Sequence, residues 1–88
     1  MITGSQIRAA RGALHWTSED LAKRSGITSR TIKRLEQASG VPPSRTSVLE
    51  AIQKALEDEG IEFIGRPDNG PGIRLWPERK LSFSIGER

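Results

Sequence analysis

A serine and three cations, all of them hydrogen-bond donors, lie within one short segment of the chain, SRTIKRLE. They are Ser29, Arg30, Lys33 and Arg34. On a helix this spacing places all four on one face, opposite the apolar Ile32 and Leu35. An arginine can donate two parallel hydrogen bonds to the acceptor edge of guanine, and all three cations attract phosphate. This face therefore predicts a partner that is anionic and rich in acceptors.

A helix with such a face needs a second helix to support it, and the preceding residues predict one over about 18–25. Gly26 ends that helix, because a left-handed residue is needed there and glycine adopts it without steric cost. Ala22 is small enough for a tight angle between the two helices. The apolar residues needed at their junction are Leu21, Ile27, Ile32 and Leu35. The two helices, over about 18–25 and 29–38, have the pattern of a helix-turn-helix.

Two further helices flank this pair. Thr3 and Gln6 can form a capping box at the start of the first helix, which spans about 4–15. Pro42 and Pro43 predict a loop over 39–45, because proline lacks a backbone donor and disfavours helix before it. The fourth helix spans about 46–59, and a mainly α domain over residues 1–60 is predicted.

The pattern becomes β-prone over residues 61–88. Two short apolar runs, 61–64 and 73–76, flank turn-forming residues over 66–72, which predicts a C-terminal β-hairpin with a long loop. Residues 80–85 alternate in the same way and form either a third strand or a tail that orders on a partner.

An isolated hairpin is marginal in water, so this one is expected to pack on the helices or to pair with another chain. We favour dimerisation; the alternative is that the hairpin covers the fourth helix of its own subunit. The expected dimer contacts are Ile61, Phe63, Ile64, Ile73, Leu75 and Trp76.

Charge is unevenly distributed along the 88 residues, whose net charge is +3. Residues 1–45 hold eight Lys/Arg against three Asp/Glu, whereas residues 46–88 hold six against eight. The basic half contains the helix-turn-helix, as phosphate attraction requires.

Other classes of function find little support. There is no cysteine, and His15 is the single histidine, so we expect no metal, cofactor, small-molecule ligand or catalytic residue. The start of the chain lacks a signal segment, and no apolar run approaches the roughly 20 residues that span a bilayer. A soluble cytoplasmic protein without membrane contact is expected.

These features resemble the phage repressor and Cro class of helix-turn-helix proteins, the XRE family. The resemblance rests on the first helix, the turn Ser25-Gly26-Ile27, the SRTIKRLE segment and the proline loop, and it covers roughly residues 4–60. The ending GIEFIGRPDNGPGIRLW is similar to the tail of small bacterial members of that family. The resemblance implies a four-helix repressor-like domain and a homodimer that reads a two-fold symmetric operator in double-stranded DNA, usually to repress transcription.

The resemblance also implies roles for individual residues. Ser29, Arg30 and Arg34 are expected to face base edges, with Lys33 at a base or a phosphate. Phosphate contacts are expected at the amino ends of three helices. Those residues are Thr17, Ser18, Thr28, Ser44, Arg45, Thr46 and Ser47. Arg11 and Glu36, which relatives often pair, are expected to form a partly buried salt bridge that sets the angle of the recognition helix.

Two alternatives stay open. The charged face is merely solvated if the two helices are an ordinary pair. A protein-binding module, such as an antiactivator or antitoxin, would keep the fold and use the apolar hairpin, since an exposed strand edge can capture a partner strand.

Overall fold

Four helices followed by two antiparallel strands make up the computed structural model, which describes residues 1–76. The helices are α1 (Gly4–Ala13), α2 (Ser18–Ser25), α3 (Ser29–Glu36) and α4 (Thr46–Glu57), and the strands are β1 (Ile61–Arg66) and β2 (Asn69–Leu75). The predicted mainly α fold with a C-terminal hairpin is confirmed, although α1, α3 and α4 each end two residues earlier than expected. Both alternatives for residues 80–85 lie outside the described residues. Within residues 1–76, no helix has the length and apolar character needed to cross a membrane.

Threonine side chains cap the first three helices. Thr3 accepts a hydrogen bond from the Gln6 N–H at 3.0 Å, and the Gln6 side chain accepts one from the Thr3 N–H at 2.9 Å. Thr17 and Asp20 make the same reciprocal pair at the start of α2, and Thr28 caps α3. Each cap stabilises its helix by about 1 kcal/mol, because it satisfies a backbone donor that the helix itself leaves free.

One apolar core joins the four helices and β1. Its largest fully buried side chains are Ile7, Leu21, Ile32, Leu35, Ile52, Leu56 and Ile61. Helix α2 packs on α3 and α4, while α1 packs on α3, α4 and β2. Burial of one such side chain stabilises the fold by about 1.5–3 kcal/mol. This packing is essential, because α2 and α3 have only eight residues each and would not be stable alone in water.

The hairpin turns more tightly than the sequence indicated, and the expected long loop over 66–72 is wrong. Strands β1 and β2 leave only residues 67–68 between them. The register shifts at Gly65, where one residue of β1 lies opposite two residues of β2 in a β-bulge. Gly65 has a φ of 76°, and a Cβ atom there would lie 2.0 Å from the carbonyl oxygen of Gly70. Gly65, Gly70 and Gly72 therefore lie within the paired strands and do not form a loop between them.

The inner face of the hairpin packs on the helices of its own subunit. Ile61 is fully buried, and Phe63, Ile73 and Leu75 pack against the same core. Ile61 has no surface left for a second chain, which corrects its expected role as a dimer contact. The hairpin covers α1 as well as α4.

The outer face of the hairpin is partly polar. Glu62 of β1 and Arg74 of β2 are paired in register and form an ion pair at 3.1 Å. The Trp76 indole N–H donates to the same Glu62 carboxylate at 2.8 Å. Ile64, which alternates with the inward Phe63, lies on this face as well. Ile64 and Trp76 are thus the two expected dimer contacts that do not face the helices.

Helix α1 ends in a Schellman motif with a histidine at the position that usually belongs to glycine. The His15 N–H donates to the Gly12 carbonyl at 3.1 Å, and the Trp16 N–H donates to the Arg11 carbonyl at 2.9 Å. His15 has a φ of 58°, and no other non-glycine residue within 1–76 has a positive φ. Left-handed backbone costs a residue with a Cβ atom about 1–2 kcal/mol.

Replacement of His15 by glycine should stabilise the protein. Relief of strain of about 1–2 kcal/mol exceeds the additional chain entropy that glycine loses on folding, about 0.5–1 kcal/mol. We expect His15→Gly to raise the free energy of unfolding by roughly 0.5–1 kcal/mol, and with it Tm by a few degrees. Thermal unfolding followed by circular dichroism measures the change.

Gly26→Ala is the matched variant, and it should change the free energy of unfolding in the opposite direction. Gly26 has a φ of 79°, and a Cβ atom there would meet nothing within 4 Å, so only backbone strain changes. A loss of about 1 kcal/mol is expected. If Gly26→Ala is destabilised while His15→Gly gains nothing, the His15 side chain must offset its own strain and the prediction is wrong.

Candidate nucleic-acid interface

Short-range hydrogen bonds build the turn between α2 and α3. The Gly26 N–H donates to the Ala22 carbonyl at 2.9 Å, and the left-handed backbone of Gly26 redirects the chain. The Ile27 N–H then donates to the Ser25 hydroxyl at 3.1 Å, after which Thr28 caps the next helix. Helix α3 is thereby held across α2 with its apolar side inward and its opposite side outward.

The outward side of α3 presents the four donors that the sequence singled out, and we call them the α3 surface. They are the half-buried Ser29 and the exposed Arg30, Lys33 and Arg34. Within residues 1–76, none of these three cations has an ion-pair partner, whereas three arginines outside α3 pair with carboxylates. The positive charge of the α3 surface is therefore available to an external anion.

An ion pair between α1 and α3 holds the carboxyl end of α3. Arg11 Nε donates to Glu36 Oε2 at 2.8 Å, and Arg11 Nη2 donates to Glu36 Oε1 at 2.9 Å. The Glu36 side chain is only 7% exposed, against 24% for Arg11. The hydrogen bonds to Glu36 raise the pKa of Arg11 above its ordinary value. Arg11 Nη1 also donates to the Trp16 carbonyl at 2.9 Å, which ties the ion pair to the end of α1.

Arg8 adds a second link that the sequence did not reveal. It lies one turn before Arg11 on α1, and its guanidinium donates to the backbone carbonyl of Glu36. That carbonyl is at the end of α3, where helical acceptors lack intrahelical partners. The spacing of Arg8 and Arg11 was the available signal, since residues three apart share a helix face.

The amino ends of α2 and α3 are less open to phosphate than the sequence indicated. Thr17 and Thr28 are exposed, but both hydroxyls already cap their own helices. Ser18 is only 8% exposed. The hydrogen bond from the Thr17 N–H lowers the pKa of Asp20, which, with Glu19, places negative charge in the first turn of α2.

The amino end of α4 is better suited to an anion. No side chain caps it, and its first turn has no acidic residue. Within residues 1–76, the N–H groups of Thr46 and Ser47 have no acceptor. Arg45 is exposed beside them, and Ser44 is half-buried. Free N–H groups at the positive end of a helix, next to a cation, suit a phosphate.

Gln37 is a candidate that the sequence reasoning missed. It follows α3 as its C-terminal cap and is exposed. It lies seven residues after Arg30 and three after Arg34, so it continues the same helix face. A glutamine amide can donate to and accept from adenine in the major groove. The signal was the i+7 spacing from Arg30.

Metal ligands are not clustered in the part of the chain that the structure describes. No group of three or more His, Cys, Asp or Glu side chains there is placed to hold an ion. The exposed His15 is instead part of the turn that ends α1. The candidate site consists of the α3 surface, Gln37 and the amino end of α4.

A helix-turn-helix with an outward basic helix defines a class of DNA-binding proteins. A family model described as "Helix-turn-helix domain" matches residues 3–57, well over half of the chain. The protein belongs to this helix-turn-helix family, which is consistent with an XRE-like regulator and indicates DNA binding. A comparison with curated proteins found no match.

Loss of Arg11 should cost more stability than loss of Glu36. Arg11→Met leaves the buried Glu36 carboxylate without its cation, an expected loss of about 3–4 kcal/mol. Glu36→Gln leaves Arg11 unpaired but partly hydrated, an expected loss of about 1–2 kcal/mol. Urea unfolding measures both differences.

A double variant and a surface variant serve as controls. Arg11→Met with Glu36→Leu removes both charges and should be more stable than Arg11→Met alone. Arg30→Met removes an exposed cation and should change stability by less than about 0.5 kcal/mol. Equal losses for Arg11→Met and Arg30→Met would show that the ion pair does not stabilise the fold.

Proposed function

We propose that this protein is a cytoplasmic, sequence-specific DNA-binding transcriptional regulator that acts as a homodimeric repressor on a two-fold symmetric operator. The observation that carries the proposal is the α3 surface. Its three cations are exposed and have no ion-pair partner within residues 1–76, while the other side of the same helix is buried. A helix of this width fits the major groove of B-DNA, and a neutral or acidic outward face would not be attracted to it.

The base-reading residues are proposed from their chemistry and position. Arg30 and Arg34 donate to guanine O6 and N7, and each good pair contributes about 1–3 kcal/mol of discrimination. Ser29 contacts a base near the start of α3. Lys33 reaches a base or a phosphate. Gln37 extends the contact toward the end of the helix.

The phosphate-binding residues are proposed to fix the register of α3 on the duplex. Ser44, Arg45, Thr46 and Ser47 at the amino end of α4 bind one phosphate through free N–H groups, hydroxyls and one cation. A second, weaker set lies at the amino ends of α2 and α3. It consists of Thr17, Ser18 and Thr28.

Removal of single cations should separate base reading from phosphate binding. Selection of bound DNA from a random pool first supplies an operator. Arg30→Ala and Arg34→Ala are then expected to reduce the preference for it over random DNA by roughly tenfold each. Arg45→Ala is expected to weaken binding to both DNAs alike and to lower the slope of log K against log salt by about one. Fluorescence anisotropy across a salt series measures these quantities.

Lys54→Ala is the matched control. Lys54 is an exposed cation of α4 that pairs with Asp58 at 3.5 Å, so its removal changes the net charge without touching the proposed interface. It should leave operator preference as in the wild type. Unchanged footprints and preferences for both Arg30→Ala and Arg34→Ala would contradict the assignment of α3 as the reading helix.

A two-fold operator needs two copies of α3 about 34 Å apart, and we propose that two subunits associate through the outer face of the hairpin. Phe63, Ile73 and Leu75 pack on their own helices, so Ile64 and Trp76 are the apolar residues this face provides. Ile64→Lys is expected to convert a dimer into a folded monomer, because a desolvated charge opposes association. Light scattering with circular dichroism tests this, and a variant that stays dimeric would place the interface elsewhere.

The alternative, a protein-binding module, relied on an exposed apolar hairpin. Three apolar side chains of that hairpin pack on the protein's own core, and Ile61 is fully buried. The basic α3 surface has no role in that alternative. A stable complex with a protein partner, together with failure to enrich any DNA from a random pool, would favour it.

A further inference from the structure

Gln6 is a buried side chain whose capping role uses only its oxygen. The residue is 5% exposed, and its Oε1 accepts the hydrogen bond from the Thr3 N–H. Its Nε2 donates to the carbonyl oxygens of Ile64 at 3.1 Å and Gly72 at 2.8 Å. Ile64 and Gly72 face each other across the two strands. One amide thus joins the first turn of α1 to both strands of the hairpin.

The same turn of α1 also contacts the carboxyl end of α3. The Gly4 N–H donates to the Gly40 carbonyl at 3.0 Å. A Cβ atom on Gly4 would lie 2.2 Å from the carbonyl oxygen of Ala38 and 2.3 Å from that of Leu35. Since both atoms belong to the backbone, no side chain fits at this position. The start of α1 therefore lies directly against the end of α3.

We propose that the hairpin is an internal brace for α3 and that Gln6 is the positioning residue through which it acts. The hairpin holds Gln6, the first turn of α1 carries Gln6 and Gly4, and Gly4 abuts the end of α3. Residues 61–76 then belong to the DNA-reading unit, although the family match ends at residue 57. The consequence for DNA rests on the proposed function; the mechanical coupling does not.

The chemistry of the amide explains why this side chain suits the role. Its two N–H groups meet two carbonyl oxygens, and its oxygen meets a third backbone group, so every polar atom has a partner. Buried polar groups that lose such partners are not rescued by water. The register of the strands, set by the bulge at Gly65, decides that Ile64 and Gly72 are the residues opposite Gln6.

Gln6→Glu in the full chain separates bracing from capping. Glutamate keeps the oxygen that accepts from the Thr3 N–H and is a usual capping-box residue. It has no N–H to donate to Ile64 and Gly72, and its charge would face their carbonyl oxygens. Gln53→Glu is the matched control, because it makes the same charge change on α4, where Gln53 donates to Glu57 at 2.9 Å.

Amide hydrogen exchange measures the coupling between the hairpin and α3 in the absence of DNA. The Gln37 and Ala38 amides at the end of α3 donate to the carbonyls of Arg34 and Leu35. In Gln6→Glu, these two amides and those of the hairpin should exchange about tenfold faster than in the wild type. In Gln53→Glu they should exchange at the wild-type rate. Preference for the selected operator over random DNA should fall about tenfold in Gln6→Glu alone.

Distinct results separate the possible failures. Faster exchange in the hairpin of Gln6→Glu, with unchanged exchange at Gln37 and Ala38, would show that the hairpin does not brace α3. If Gln6→Glu does not fold, Gln6→Met removes the same donors without adding charge and is judged by the same amides. If exchange behaves as expected but the wild type selects no DNA sequence, the proposed function fails and the brace stands.

Discussion

The ion pair between Arg11 and Glu36 is the contact on which the position of the basic helix depends. Helix α3 has eight residues, well below the length at which an isolated helix is stable in water, so other elements must set its direction. Apolar burial is non-directional, so by itself it specifies orientation less strictly than hydrogen bonds do. Two parallel hydrogen bonds between a guanidinium and a carboxylate fix both distance and orientation. With the Glu36 side chain only 7% exposed, water cannot easily replace its partner.

Two sets of cations within residues 1–76 differ in what surrounds them. Arg11 is half-buried and Arg24 is exposed, and each pairs with a carboxylate that lies outside its own helix. The cations of α3 face outward on a helix whose single carboxylate, Glu36, is turned inward and neutralised by Arg11. The ion pair thus has an electrostatic consequence as well as a mechanical one. It removes the negative charge that would otherwise weaken the positive field of α3.

Two glycines illustrate how close backbone approach links distant parts of the molecule. Gly4 lets α1 begin against the carbonyl end of α3, and Gly65 lets the hairpin change register without steric conflict. Both positions exclude a Cβ atom because the nearest atoms are backbone oxygens, which cannot move aside as a flexible side chain can. The fit of α1 between hairpin and α3 follows from these contacts together with the hydrogen bonds of Gln6.

Short-range patterns in the sequence determined the four helices, the threonine caps of the first three, the turn at Gly26 and the outward basic face, because each depends on residues within about four positions of one another. Resemblance to a family supplied the pairing of Arg11 with Glu36. Only the tertiary structure decided which face of the hairpin is buried and what the Gln6 amide binds. The Gln6 contacts join residues that are 58 and 66 positions apart in the sequence. A pattern of residue spacing within one helix or strand cannot predict such contacts. The same limit applied to Gly4, whose need to be glycine arises from carbonyl oxygens more than thirty residues away.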